Sequence, residues 1–322
     1  MSTDSLRIPV VFCHDSRPKF LVTAIGNAES TNHEVFCISN EPEALVADPE
    51  FSIFMNLYEH LSPNSEKFER LCFYRYFALR KFLREEGLAA AFLVDSDVLI
   101  LRNLGGLLRE IENKGCDVAL SIPDERDPIL AEASPHLSFW RISTLESFIQ
   151  YMLRQYECNV GELQEIVKEK KKRRIRSGIS DMTLLFMWSM SVNGVFNVAV
   201  ATAAGVVDHN INVKNNAEMN EYIGFCGGKR IYERNNSLYI KSRAKGRCVP
   251  LLALHFQGRS KQLMDDIANR KIARFYGKFA VLRVGTFVLR RFQAFTQRFK
   301  RLWLAGPEPA TESGERPLGG AG

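Results

Sequence analysis

Residues Ala91 to Leu101 read Ala-Phe-Leu-Val-Asp-Ser-Asp-Val-Leu-Ile-Leu, an apolar run broken by one polar triplet. A short run of such residues suits a strand buried on both faces of a sheet, and that strand is expected to end at Asp95. Two residues apart at a strand end, Asp95 and Asp97 point to the same side. Like charges held together in a half-buried place either raise one pKa or call for a cation. Hard carboxylate oxygens suit a divalent ion such as Mn²⁺ or Mg²⁺. A bare Asp-x-Asp is commonly a solvated loop. The buried strand before it favours a site, because open α/β sheets bind ligands beyond the carboxyl ends of their strands.

The flanking sequence alternates strand and helix signals. Ile8–Cys13 reads as a first strand, followed by a helix from about Pro18 to Glu29 and a strand at Glu34–Ile38. Glu66–Glu85 is strongly helical and leads into the Asp95 strand; a short helix at Leu104–Asn113 and a strand at Asp117–Ile122 come next. Further on, His136–Ile142 suits a strand, and the capping-box spacing of Ser143 and Glu146 suggests a helix to about Glu157. Ser180 is placed to cap a helix at Asp181–Met190, and Phe196–Val200 resembles a strand. Lys229–Ser242 resembles a hairpin turning at Asn235-Asn236, and Leu251–Gln257 is a last strand. The order implies an α/β fold with a mostly parallel central sheet flanked by helices.

The 322 residues allow one large α/β domain plus an appendage. The seven cysteines form no Cys-x-x-Cys pair and suit small core residues of a reducing compartment. Met1–Leu6 is polar and leads straight into a strand, so neither a secretory signal nor a membrane-spanning stretch is expected. The net charge of +6 is local: ten basic and no acidic residues lie between Arg270 and Arg301. The basic run Val167–Arg176 reads as a solvated helix end, with anion binding as the alternative.

A second segment carries chemistry: Leu254-His255-Phe256-Gln257-Gly258-Arg259-Ser260-Lys261. His255, at a strand end, can supply a neutral nitrogen ligand, and Lys261 a point charge for phosphate. With Asp95 and Asp97, His255 completes three vertices of a metal site.

Together the two segments resemble the nucleotide-diphospho-sugar transferases of the GT-A fold, within them glycosyltransferase family 8 and its bacterial relatives. That family carries an Asp-x-Asp after a central strand and a late His-x-x-Gly-x-x-Lys. Both stand here in order, as Asp95-Ser96-Asp97 and His255 to Lys261, and the resemblance spans roughly Ile8–Lys261. It implies a Rossmann-like GT-A fold, a metal held by Asp95, Asp97 and His255, and a donor site reaching Ser96, Gly258 and Lys261. Asp15, after the first strand, matches a loop that contacts the nucleotide, and it also reads as a helix N-cap. Arg75 matches an arginine that faces the sugar nucleotide; a surface salt bridge is its other reading. Asp181 falls where the family has Asp-Gln-Asp near the donor sugar, but only the first acid is kept. The family often has Asn-x-Gly where this chain has His136–Phe139, which suggests a different acceptor pocket.

The resemblance implies a metal-dependent, retaining hexosyltransferase acting on a nucleotide sugar, UDP-linked in this family, with a glycan or lipid-linked acceptor. Two rivals remain. A haloacid-dehalogenase-type phosphatase would use Asp95 as nucleophile and Asp97 as acid and base, with Asp265-Asp266 imitating its later acidic pair. A membrane-docked protein that kept the fold without catalysis is the other.

The chain divides into a catalytic domain at 1–269, a basic amphipathic extension at 270–304 and a disordered tail at 305–322. Phe275, Phe279, Leu282, Leu289, Phe292, Phe299 and Leu302 recur at helical spacing, with basic residues filling much of the remainder. That pattern predicts one or two helices lying on an anionic membrane surface from 271 to 304, which would make the enzyme a peripheral protein on the cytoplasmic side. Packing on the catalytic domain or on a second subunit is the competing reading. No nucleic-acid module is recognisable.

Overall fold

A computed structural model describes residues 8–31, 33–39, 48–214, 222–243 and 246–283. Thirteen strands are described: β1 (Val10–His14), β2 (Val35–Ser39), β3 (Ala90–Val94), β4 (Val98–Ile100), β5 (Val118–Ser121), β6 (Ser134–Arg141), β7 (Val195–Asn197), β8 (Val206–Val207), β9 (Gly224–Phe225), β10 (Gly228–Lys229), β11 (Ile231–Arg234), β12 (Ser237–Lys241) and β13 (Cys248–His255). The central sheet runs β2-β1-β3-β6-β5-β7. β1 pairs parallel with β2 and β3, and β5 with β7, whereas β6 runs antiparallel to both β3 and β5. This is the expected α/β fold with a parallel-rich sheet between helices.

The apolar run around Asp95 has a double origin. β3 is sandwiched: Phe92 and Val94 face one hydrophobic core, and Ala91 and Leu93 face the other. After the turn at 95–97 the chain leaves the central sheet, and β4 joins a second sheet ordered β11-β12-β13-β4. Two buried strands therefore abut the triplet, one before and one after it.

The helix Glu66–Glu85 is capped by Ser65, whose side chain accepts from the Phe68 N–H, and buries Phe73, Tyr76, Phe77 and Leu83. Burying each such aromatic side chain is worth roughly 1.5–3 kcal/mol. Against expectation, Ser143 caps nothing. The helix Ile142–Cys158 starts with Arg141 at its N-cap and no side-chain cap, and the capping box forms at Ser180 and Thr183 instead. The helix Pro49–Leu57 had no counterpart in the sequence reading, although Asp48 accepts from the Phe51 N–H and Pro49 opens the first turn.

The extension corrects the membrane reading in its first part. Residues 272–283 are helical. Their apolar stripe packs inward, with Phe275 0% and Phe279 1% exposed in the same core as β11–β13. Tyr276 bonds to the backbone of Ile231, Arg283 donates to the Cys226 carbonyl at 3.0 Å, and Lys278 pairs with Asp266 at 2.7 Å. A helical apolar stripe has the same spacing whether it meets lipid or protein, and here β11 and its neighbours supply the protein. The expected anchor residues Leu289, Phe292, Phe299 and Leu302, and the tail, lie outside the described residues.

Candidate active site

Strand pairing brings the two sequence motifs together. β13 runs antiparallel to β4 with His255 opposite Val98, and the Phe256 N–H donates to the Asp97 carbonyl at 2.9 Å. From the other side, the Asp95 N–H donates to the His136 carbonyl of β6 at 2.8 Å. The ligand atoms of Asp95, Asp97 and His255 all lie within 4.8 Å of one another. The expected triad is thus one cluster at the carboxyl end of β3.

Each member is held by neighbours. The Asp97 carboxylate meets His255 Nε2 at 3.4 Å and Lys261 Nζ at 3.0 Å. Burial pushes the Asp97 pKa up, but His255 and Lys261 outweigh it and hold it below the usual value. Burial alone would lower His255; the bond and charge of Asp97 prevail and raise it. Loss of solvent and the nearby Asp97 raise Asp95 despite the Arg75 guanidinium. The His255 Nδ1–H donates to the His209 carbonyl at 2.6 Å, so Nε2 is the nitrogen turned to the carboxylates. Gly258, at φ +60°, turns the chain out of β13 into the 3-10 turn Gly258–Leu263, which returns Lys261 to Asp97.

The cluster opens into a cleft of about 590 Å³. Every site residue expected from the sequence lines it: Asp15, Arg75, Asp95, Ser96, Asp97, Asp181, His255, Gly258 and Lys261. Arg75 is no surface salt bridge. Its Nη1 lies 2.6 Å from Asp95 and its Nη2 pairs with Asp181, which also accepts from the Tyr76 hydroxyl at 2.9 Å. Asp15 caps no helix, because Pro18 holds the N-cap position; its carboxylate lies 3.1 Å from His14.

Sequence reasoning missed Asn64, Phe68, Glu69 and Glu132, which also line the cleft, together with Gln257 of the second motif and Arg176 of the basic run whose alternative reading was anion binding. Glu69 and Arg75 lie six residues apart on one helix, about 120° round its axis, so helical spacing gave no reason to link them. The run Val167–Arg176 is not uniformly solvated. Lys170 is fully buried and donates to the Gly178 carbonyl at 2.9 Å, pinning the loop that carries Arg176. Gly178 lies so close to Leu61 that a Cβ would meet its carbonyl oxygen at 2.0 Å. His136 is fully buried and does not line the cleft, whereas Ser134 and Pro135 of the same strand do. Asp265 and Asp266 are turned elsewhere, to Lys19 and to Lys278, which removes the acidic pair the phosphatase reading needs.

No protein-family model and no curated protein matches the chain. Solved structures similar to it include the galactosyltransferase LgtC in complex with donor and acceptor sugar analogues, at 13% identity over 84% of this chain and 96% of that one, TM-score 0.37. Mouse xyloside xylosyltransferase 1 in its apo form is similar at 12% identity over 63% and 85%, TM-score 0.37. A glycosyltransferase involved in glycosylation of the major capsid of PBCV-1 is similar at 13% identity over 52% and 77%, TM-score 0.31. Likeness this distant fixes neither donor nor acceptor, which fall to the chemistry of the cleft.

Proposed function

We propose that this chain is a divalent-metal-dependent glycosyltransferase that takes a sugar from a nucleotide diphosphate, UDP-linked, to a glycan or lipid-linked acceptor. The observation that carries this reading is the Asp95–Asp97–His255 cluster on the floor of a large cleft with Lys261 and Arg75 beside it. Two carboxylates and an imidazole whose Nδ1 is already engaged form a donor set that fits Mn²⁺ or Mg²⁺. A cation held there supplies Lewis acidity to the two phosphates of the leaving nucleotide.

The remaining roles belong to the chain's own side chains. Lys261 moves from Asp97 to a donor phosphate and offsets the charge that builds as the sugar bond breaks. Arg75 holds Asp95 and Asp181 in place and offers its remaining donors to the diphosphate or sugar. Asp181, buried beneath Arg75, orients sugar hydroxyls. Asp15 sits where β1 ends and accepts from the ribose or base, while Ser96 and the Gly258 backbone close on the diphosphate. Phe68, 54% exposed beside Asn64 and Arg176, offers a ring face on which an acceptor sugar can stack. Retention of anomeric configuration follows from the resemblance alone.

We further propose that residues 284–304 hold the enzyme on an anionic membrane surface on the cytoplasmic side, with 284 a better start than 270 for the appendage. No described helix is long and apolar enough to cross a membrane. The test of the activity is a panel of nucleotide sugars incubated with Mn²⁺ or with chelator. Manganese-dependent hydrolysis of one UDP-sugar is expected, lost in Asp97→Asn. Hydrolysis that is indifferent to both chelator and substitution would reject the reading.

A further inference from the structure

The metal cluster rests on a second layer of buried side chains that the transfer reaction does not touch. His136, fully buried on β6, stacks face to face on His255, with ring centroids 4.6 Å apart and planes 8° from parallel. Ser134 Oγ lies 2.9 Å from His136 Nδ1, and the His136 carbonyl takes the Asp95 N–H. One residue therefore touches both motif segments, by backbone at Asp95 and by ring at His255.

Residues 208–211 also grip His255, and they touch His136 as well, with the His209 ring centroid 5.6 Å from that of His136. Asp208 Oδ2 accepts the His255 N–H at 3.3 Å, the His209 carbonyl accepts Nδ1–H at 2.6 Å, and the Ile211 N–H donates to the His255 carbonyl at 3.0 Å. That segment is irregular backbone, and a buried cation stitches it. Lys229 Nζ lies 2.7 Å from Asp208 Oδ1 and donates to the Asn210 carbonyl at 2.8 Å, with both charged side chains 0% exposed. A fully buried ion pair is weak evidence for stability, because desolvation offsets most of its attraction. It does fix geometry: here it fixes the carbonyl that selects the His255 tautomer.

We propose that His136, together with the Asp208–Lys229 pair, is a positioning brace that locks the plane and tautomer of His255 and so sets the affinity of the cluster for a divalent ion. This rests on the metal-site reading of Asp95, Asp97 and His255. The stack limits ring rotation about the axis along which Nε2 must point, and the His209 carbonyl keeps the proton on Nδ1. His136→Ala removes the stack and keeps the backbone bond to Asp95. His136→Phe restores a flat ring of similar size.

The test uses the full chain at pH 8, with two readouts. One is nitrogen-15 NMR of the His255 ring; the other is Mn²⁺ affinity by calorimetry, with thermal melts confirming that each variant folds. Wild type is expected to show a single Nδ1–H tautomer and to bind Mn²⁺. His136→Ala should keep the Nδ1–H tautomer, which the His209 carbonyl still holds, yet bind Mn²⁺ 10–100-fold more weakly, the usual cost of losing an outer partner of a ligand. His136→Phe should recover most of the affinity. An unchanged Mn²⁺ affinity in His136→Ala would overturn the brace. If wild type holds the single tautomer but binds no Mn²⁺, the metal reading itself fails, and the claim that the brace sets metal affinity falls with it. Should His136→Ala not fold, His136→Phe decides alone: near-native affinity supports the stack, and a loss as large as that expected of Ala contradicts it.

Discussion

Asp97 is the residue on which three interactions meet: His255, Lys261 and the Phe256 backbone. Asp97→Asn keeps the shape and loses the charge, so the fold should survive while the stabilisation that Mn²⁺ gives to thermal unfolding disappears. Lys261→Ala should weaken nucleotide-diphosphate binding by about 1.5–3 kcal/mol, the scale of a hydrogen bond to a charged group; calorimetry that finds no change rejects its phosphate role. Arg75 is a different case, because it also neutralises Asp95 and the buried Asp181. Arg75→Ala should cost about 3 kcal/mol of stability, the low end for breaking a buried pair, and denaturant titration reads that directly. The pH dependence follows from His255, whose pKa is raised in the folded chain. Protonated His255 stabilises the metal-free protein fully below pH 6.5, and that contribution is lost as pH rises through the folded pKa. A metal needs the neutral ring, so the rise in Tm caused by Mn²⁺ should be small at pH 6 and grow toward pH 8.

Elements differ in how far local sequence exposes them. β3 was legible because burial on both faces writes an unbroken apolar run, and the β11–β12 hairpin because Asn235 and Asn236 both adopt positive φ at its turn. The triad was legible only through motif order. The contact that makes it, β13 against β4, joins segments far apart in the chain and leaves no periodicity to read. Glu69 and Lys170 escaped because charged residues on helices default to solvent, and nothing local says that Ser62 or Gly178 will meet them. The helix at 272–283 shows the opposite failure, a clear stripe with the wrong partner. Phe279→Ala should therefore cost about 3–5 kcal/mol in urea unfolding, as a core phenylalanine does. Val281→Asp, at a site 72% exposed on the same helix, should cost almost nothing. Equal effects would mean that the stripe does not pack on the body.

At the scale of the whole molecule, one face of the central sheet, the second sheet and the helix at 272–283 share a single hydrophobic core. Ending the chain near Asn269 would strip Phe275 and Phe279 from the core, so such a truncation should aggregate. A chain ending at Arg283 should stay folded. In flotation with anionic vesicles, the full chain should bind in a salt-sensitive way and the chain ending at Arg283 should not; equal binding by both, or by neither, removes the membrane proposal. The central claim is that Asp95, Asp97 and His255 jointly hold a divalent ion that receives a nucleotide diphosphate. Crystals grown with Mn²⁺ and UDP, with data collected at the manganese absorption edge, test it most directly. The anomalous peak is expected 2.0–2.6 Å from one atom of each of the three residues, with the diphosphate completing the ion's shell. A peak elsewhere, or a diphosphate bound in the cleft with no metal at the triad, would contradict it.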